Sequence, residues 1–268
     1  MINIFKNTAR KLKTGLIIMI ICLGFIFSAS AQDSKGTEFW ICFPGNNSST
    51  NTELYITAEA ASSVTISIPG LAFNTVVAVA AGGLQTVSIP AAALVQSSFI
   101  AESKGIHITA TTEVTVYGMN AQSATTDAFL GFPTDAIGSS YYVMGYNRDF
   151  SFSLPTQATI LATQNATTVT VTASVTGGPF TAGVPTNIVL QEGQVYQLRS
   201  LLTNADYTGT KITSDKPISV FGGAQCTNIS GVLRACDHLV EQLPPLSAWG
   251  KSFATVPLAT RTGGDVFR

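Results

Sequence analysis

Thr- and Val-rich phrases recur in this chain about 105 residues apart, and that recurrence limits the fold more than any single motif does. Gly105-x-x-Ile108-Thr109 returns as Gly209-x-x-Ile212-Thr213. Val116-Tyr117-Gly118 returns as Val220-Phe221-Gly222, and Ser63-Val-Thr-Ile as Thr168-Val-Thr-Val. A second echo marks the edges of the units. Pro133-Thr-Asp-Ala136-Ile137-Gly138-Ser-Ser-Tyr141 aligns with Pro245-Leu-Ser-Ala248-Trp249-Gly250-Lys-Ser-Phe253, and Gly36-Thr-Glu-Phe39 fits the latter half of both. Each unit therefore opens on a Gly-x-x-aromatic strand, at Gly36, Gly138 and Gly250. The third opening has only residues 250–268 to continue it, so the chain reads as a truncated piece of a longer protein.

Between these edges the pattern is that of strands. Apolar and polar residues alternate over 53–58, 63–68, 75–80 and 84–89, with Pro69-Gly70, Gly82-Gly83 and Pro90 as turns. Residues 91–100 read as a short helical turn or a loop, and 105–110 with 113–117 as a hairpin. The second half repeats the order over 159–162, 168–172, 187–190, 194–198, 210–213 and 218–221. Charged residues make up only 11% of the chain, which suits sheets with neutral Thr- and Ser-rich outer faces rather than helical bundles. The expected fold is all-β, as tandem β-sandwich modules of about 105 residues. Residues 32–35 are a polar lead, 36–137 the first module, 138–249 the second, and 250–268 the start of a truncated third. Phe39, Tyr141 and Trp249, one at each edge, are expected to be largely buried.

Residues 1–31 have the form of a secretory signal peptide. Lys6, Arg10, Lys11 and Lys13 precede an apolar run from Leu16 to Phe27, and Ser28-Ala29-Ser30-Ala31 has small residues where a signal peptidase cuts. The run is too short for a membrane span, which takes about 20 residues, and no later stretch is long and apolar enough. Export leaves ten basic and 15 acidic residues, a net charge of −5. That argues against a nucleic-acid partner, which needs a basic face. It also permits disulfides. Cys226 and Cys236 flank a turn-rich loop and are expected to pair, whereas Cys42, within Phe-Trp-Ile-Cys-Phe, is expected to be a buried free thiol.

No catalytic or metal constellation stands out. Asp237-His238, with Glu241 three residues on, invites a dyad or metal reading. The competing reading is that these side chains satisfy backbone groups beside the disulfide loop. His107 lies in an alternating strand, and Lys211 takes its place in the second unit, so it is expected to be an exposed strand residue. Asp127, Asp135 and Asp149 are isolated, so no calcium site is expected. An enzyme would need at least two of Glu53, Asp127, Asp149, Glu192 and Glu241 to converge. Asn46, Asn47, Asn165 and Asn228 fit the Asn-x-Ser/Thr pattern for glycosylation. For contact with a ligand, the candidates are Tyr146, Asn147, Arg148 and Asp149, beside Tyr141, Tyr142 and Phe150, since Tyr and Arg are enriched at binding hot spots.

The paired-cysteine stretch carries a family likeness. Gly222-Gly-Ala-Gln-Cys226, then Cys236-Asp-His-Leu-Val-Glu241-Gln242-Leu-Pro244, then Ser247-Ala-Trp249-Gly250, resembles the N-terminal domain of the IgGFc-binding proteins. The Gly36-Thr-Glu-Phe opening and Asp215-Lys-Pro-Ile-Ser-Val220 are similar to it as well. The resemblance implies a secreted or cell-surface protein of adhesive type, and the signal peptide has a bacterial look. It supplies no binding-site residues. The expectation is a binding or adhesion module recognising an extracellular protein or glycoprotein, without catalysis or cofactor. The alternative is a purely structural spacer of a long surface protein.

Overall fold

Short alternating segments broken by Gly, Pro and Asn have one stable arrangement, lateral pairing into sheets, and pairing accounts for nearly every regular element here. The computed structural model describes residues 33–46, 51–147, 154–202, 205–229, 235–257 and 259–260. The signal peptide read at 1–31 lies outside them. The first half contributes β1 (Lys35–Ile41), β2 (Phe43–Pro44), β3 (Asn51–Ala58), β4 (Ser62–Ile68), β5 (Phe73–Val79), β6 (Leu84–Ile89), β7 (Leu94–Val95), β8 (Ala101–Glu102), β9 (Ile106–Ala121) and β10 (Asp127–Gly131). The second contributes β11 (Gly138–Tyr142), β12 (Thr156–Ala162), β13 (Thr167–Thr172), β14 (Pro185–Leu190), β15 (Val195–Ser200), β16 (Lys211–Thr227) and β17 (Asp237–Gln242). Among the described residues there is no α-helix, only 3-10 turns at Pro69–Leu71, Ala91–Ala93 and Leu246–Ala248.

Two antiparallel sheets result. The first runs β5-β4-β9-β3-β6, with β1 and β10 also paired to β9. The second runs β14-β13-β16-β12-β15-β8, with β11 and β17 also paired to β16. Apart from β8, which crosses over from the first half, the two paths are the same. The register agrees too. Phe39 lies opposite Ile108 and Tyr141 opposite Ile212; Trp40 lies opposite His107 and Tyr142 opposite Lys211.

The expected two-layer sandwiches take another form. Each half is one curled sheet wrapped around a long strand. β1 and β4 flank the first part of β9, β3 and β10 its second part, and the outer strands β5 and β6 come to pack on each other. The hairpin expected at 105–117 is this single strand. Ala110–Glu113 contains no turn former, and Thr111 and Thr112 are β-branched, so the chain bends instead of reversing. Residues 110–113 bulge away from β1 between the Val114 and Thr109 pairings, as residues 214–217 do from β11 between Ile218 and Thr213, while Ala110 and Ser214 stay paired to β4 and β13. Both bends are held alike. Thr111 Oγ1 accepts from Ser63 N at 2.9 Å, and Asp215 Oδ1 accepts from Thr168 N at 2.8 Å.

Each opening glycine is closed by the proline turn that ends its own sheet. A Cβ on Gly36 would lie 2.3 Å from Pro133 Cβ, and one on Gly138 2.8 Å from Pro245 Cβ. Two apolar cores follow. The first is centred on Phe39, Ile56, Ile66 and Val116, but it also takes in Leu161, Val195, Phe221 and Val240 from the second half. The second is built on Tyr141, Ile160, Val171 and Ile212. β3 therefore alternates between buried and half-exposed, whereas β12 is buried along its whole length. One face of β12 serves its own core, and the other lies against the first sheet.

Candidate functional site

Small and apolar side chains bring the two sheets together, and a seam of buried amides then fixes their register. Gln197 Oε1 accepts from Gly45 N at 3.1 Å, and Gln157 Nε2 donates to Gly45 O at 2.9 Å. Gln197 Nε2 donates to Val95 O at 2.9 Å. Ser219 Oγ donates to Trp40 O at 2.7 Å and receives Gln242 Nε2 at 3.2 Å. Groups this deep need such partners, because an unpaired buried amide costs about 1–3 kcal/mol. Asn46, a glycosylation candidate, is fully buried in this seam, so the folded chain does not present it to a transferase.

The Asp237-His238 pair lies at the edge of the same seam. The His238 ring does not meet the Asp237 carboxylate. Its Nδ1 donates to Gln225 O at 3.0 Å, and its Nε2 accepts from Asn120 Nδ2 at 3.2 Å. Asn120 is held in that orientation because its Oδ1 accepts from Asn46 and its Nδ2 also donates to Pro44 O. Burial pushes the imidazole down to about 4, against the opposing pull of the Gln225 and Ala224 backbone and of Asp237. Asp237 Oδ1 instead accepts from Thr126 N at 2.8 Å and from His238 N at 2.9 Å. Beside them, Cys226 and Cys236 form the expected disulfide, with Cα atoms 5.3 Å apart. Cys42 is free and buried, and burial raises its thiol.

Of the acids that would have to converge in an enzyme, Asp127 and Glu241 become electrostatic neighbours. Burial, then Asp127, raises the Glu241 carboxyl to about 7 although the residue is exposed overall. Asp127 is occupied structurally: Oδ2 accepts from Val240 N and Oδ1 from Ala128 N, both at 2.9 Å, which ties β10 to β17. Among the described residues no group of three or more His, Cys, Asp or Glu side chains is placed to hold a metal ion. His107 is half-buried rather than exposed. It stacks on Trp40 at 4.3 Å, and its Nε2 lies 2.9 Å from Glu38 Oε1.

The feature with the character of a docking site is an apolar groove of about 680 Å³ on the second sheet. Tyr142, Met144, Gly209, Leu243, Trp249 and Phe253 line it. Phe39 and Tyr141 are fully buried as expected, but Trp249 is 52% exposed. The exposure of Trp249, which the sequence pattern puts inside, has a local cause. The chain leaves β17 through Leu243-Pro244-Pro245 and a 3-10 turn, and residues 249–257 then pair with no described strand. The indole is held only at its near edge, where Nε1 donates to Pro244 O at 3.3 Å and Tyr142 lies 6.4 Å away between ring centres. Of the candidate contact residues, Tyr146 is half-buried and Asn147 exposed, just beyond the groove, and Thr227 Oγ1 donates to Asn147 O. Arg148 and Asp149, with Phe150, lie outside the described residues. Sequence reasoning named Tyr142 and Trp249 but not the groove they share, and Met144 carried no signal at all.

Comparison with known proteins gives a consistent picture. The family model described as IgGFc binding protein matches residues 127–268, from the start of β10 through the second sheet and the groove. The human protein called "IgGFc-binding protein" is 31% identical over 156 residues, which is 57% of this chain and 3% of that protein. This chain thus spans about 3% of the length of that relative. No solved structure matches it. Among the described residues no helix is long and apolar enough to cross a membrane.

Proposed function

Since this chain belongs to the IgGFc binding protein family, we propose that it is a secreted or cell-surface binding module that recognises an extracellular protein or glycoprotein by surface contact, without catalysis. The observation that carries the reading is the groove. Four large side chains, Tyr142, Met144, Trp249 and Phe253, stand at least 41% exposed around one concavity, and apolar surface left open in this way marks an interaction site. The disulfide supports an oxidising compartment, as does a signal peptide at 1–31. Tyr146 and Asn147 would extend the contact surface beyond the groove, and Arg148 and Asp149 follow them in the sequence.

A second reading, a structural spacer in a long surface protein, draws on the identical strand paths of the two sheets. Those paths favour an internal duplication into modules at 36–137 and 138–249, and the sequence echo at Gly250 favours a third opening there. Capture of residues 33–268 by immobilised immunoglobulin, mucin and matrix glycoproteins separates the two readings. The binding reading requires saturable capture that falls when Trp249→Ala or Arg148→Ala is introduced. Folded protein that binds nothing on the panel leaves the spacer.

A further inference from the structure

The first sheet has a face equivalent to the groove, and there it is covered. By register Trp40 corresponds to Tyr142, and Gly105 to Gly209. Trp40 is only 3% exposed, because the turn at Gly193 of the second sheet lies against its ring; a Cβ on Gly193 would be 3.3 Å from Trp40 Cζ3. Gly105 donates its N–H to Gly193 O at 2.9 Å, and a Cβ there would lie 2.6 Å from Leu161 Cδ1. Gly45, gripped by Gln157 and Gln197 of the second sheet, corresponds to Asn147. In the groove the positions matching Trp40 and Gly105 stand open. Tyr142 is 41% exposed, and a Cβ on Gly209 would meet nothing within 4 Å.

The opening strand tells the same story. Phe39 and Tyr141, fourth residues of their Gly-x-x-aromatic strands, are fully buried on β9 and β16. Phe253, fourth from Gly250, is 82% exposed, and residues 250–257 pair with nothing described. We infer that the groove seats a further curled sheet of this same architecture, carried on a longer polypeptide, with residues 250–256 as its opening strand. This rests on the reading of the groove as a protein-docking surface and names the partner. The seated element is a strand like β12, with an apolar residue in the place of Leu161 and a tight turn in the place of Gly193. A second copy of this chain is the poorer fit. Its free first sheet would present β3, whose residue equivalent to Leu161 is Thr57 and whose outward positions include Glu53 and Tyr55. The seated sheet would lie face-on against the groove, as β12 and the turn at Gly193 lie against the first sheet.

The test compares residues 33–268 with the same chain extended through about 105 further residues of its own gene. The chain has two tryptophans, so Trp40→Phe leaves Trp249 as the sole reporter. In the shorter chain acrylamide should quench Trp249 freely, and amides 252–256 should exchange fast. In the extended chain quenching should be lost, emission should move to shorter wavelength, and those amides should become protected. Hydrogen exchange needs no substitution and stands alone if Trp40→Phe perturbs folding. Trp249 equally open in both chains, or a reading frame that ends too soon to encode a sheet, overturns the inference. The broader reading survives that result if Trp249→Ala still abolishes capture from the glycoprotein panel, and fails with it if capture is unchanged.

Discussion

The two sheets share a path and a register, yet they end differently. The first ends at Pro133, and Ile137 and Tyr141 beyond it are buried as the second sheet begins. The second ends at Pro245, and Trp249 and Phe253, the matching residues, are in solvent. The same local sequence logic thus gives opposite burial. What decides is whether another sheet lies against the exit. Burial here is a property of the junction rather than of the strand, and core mutations should show it.

Phe39→Ala against Phe253→Ala is the sharpest contrast. Truncating a fully buried Phe costs about 3–5 kcal/mol, whereas an exposed one changes stability by no more than about 0.5 kcal/mol. Urea denaturation of residues 33–268 should show that gap. Equal losses would mean that Phe253 is packed in solution and that the comparison between the exits is false.

The next contrast is between a seam that titrates and cores that do not. His238 is neutral, and its Nε2 accepts a hydrogen bond from Asn120, so protonation would set two donors against each other. Its folded value lies below the ordinary one. The stability it contributes is therefore fully present above about pH 6.5 and is lost as pH falls toward 4. A shift of that size corresponds to about 3 kcal/mol by pH 4. In His238→Gln, stability should be flatter across that window. A wild-type melting temperature that does not fall between pH 6.5 and 4 would contradict the neutral, buried assignment.

The disulfide marks a third difference. β9 passes to β10 through residues 122–126 without a staple, while β16 reaches β17 through a longer link closed by Cys226–Cys236. A loop of this size is worth about 2–3 kcal/mol by chain entropy. Cys226→Ser should lower stability by that amount under oxidising conditions, and dithiothreitol should do the same to the parent chain. No change in either would show that the bridge does not brace the second sheet.

Much of this was legible in the sequence because it is local. Period-two alternation located most strands and the all-β class, and two cysteines around a turn-rich loop paired. What failed was whatever depends on distant partners. Ser214-Asp215-Lys216-Pro217 reads as a turn, yet β16 continues through it because β13 holds one side and β12 the other. The pairing of β8 with β15 and the Gly45 grip by Gln157 and Gln197 join residues about 100 apart or more, and no local pattern announces them. Analogy with its echoes puts Trp249 inside, whereas its burial depends on what lies against the exit from β17, and among the described residues nothing covers it.

The smallest contrast concerns one position in both sheets. Phe129 lies opposite Gly118 and is buried against Phe221 at 5.2 Å, while Glu241 takes the same place opposite Gly222. Burial and then Asp127 raise Glu241 to about 7. A raised carboxyl favours the protonated folded state, so its stability contribution is full below about pH 4.5 and is lost as pH rises through 7. This runs opposite to His238 over part of the same range. Solvent at an exposed site screens the effect, and it should stay below about 1 kcal/mol. Glu241→Gln should therefore raise the melting temperature slightly at pH 8 and leave it unchanged at pH 4. A loss at pH 8 would mean that the charged carboxylate is doing structural work at the surface, and that the position differs from Phe129 in kind as well as in cover.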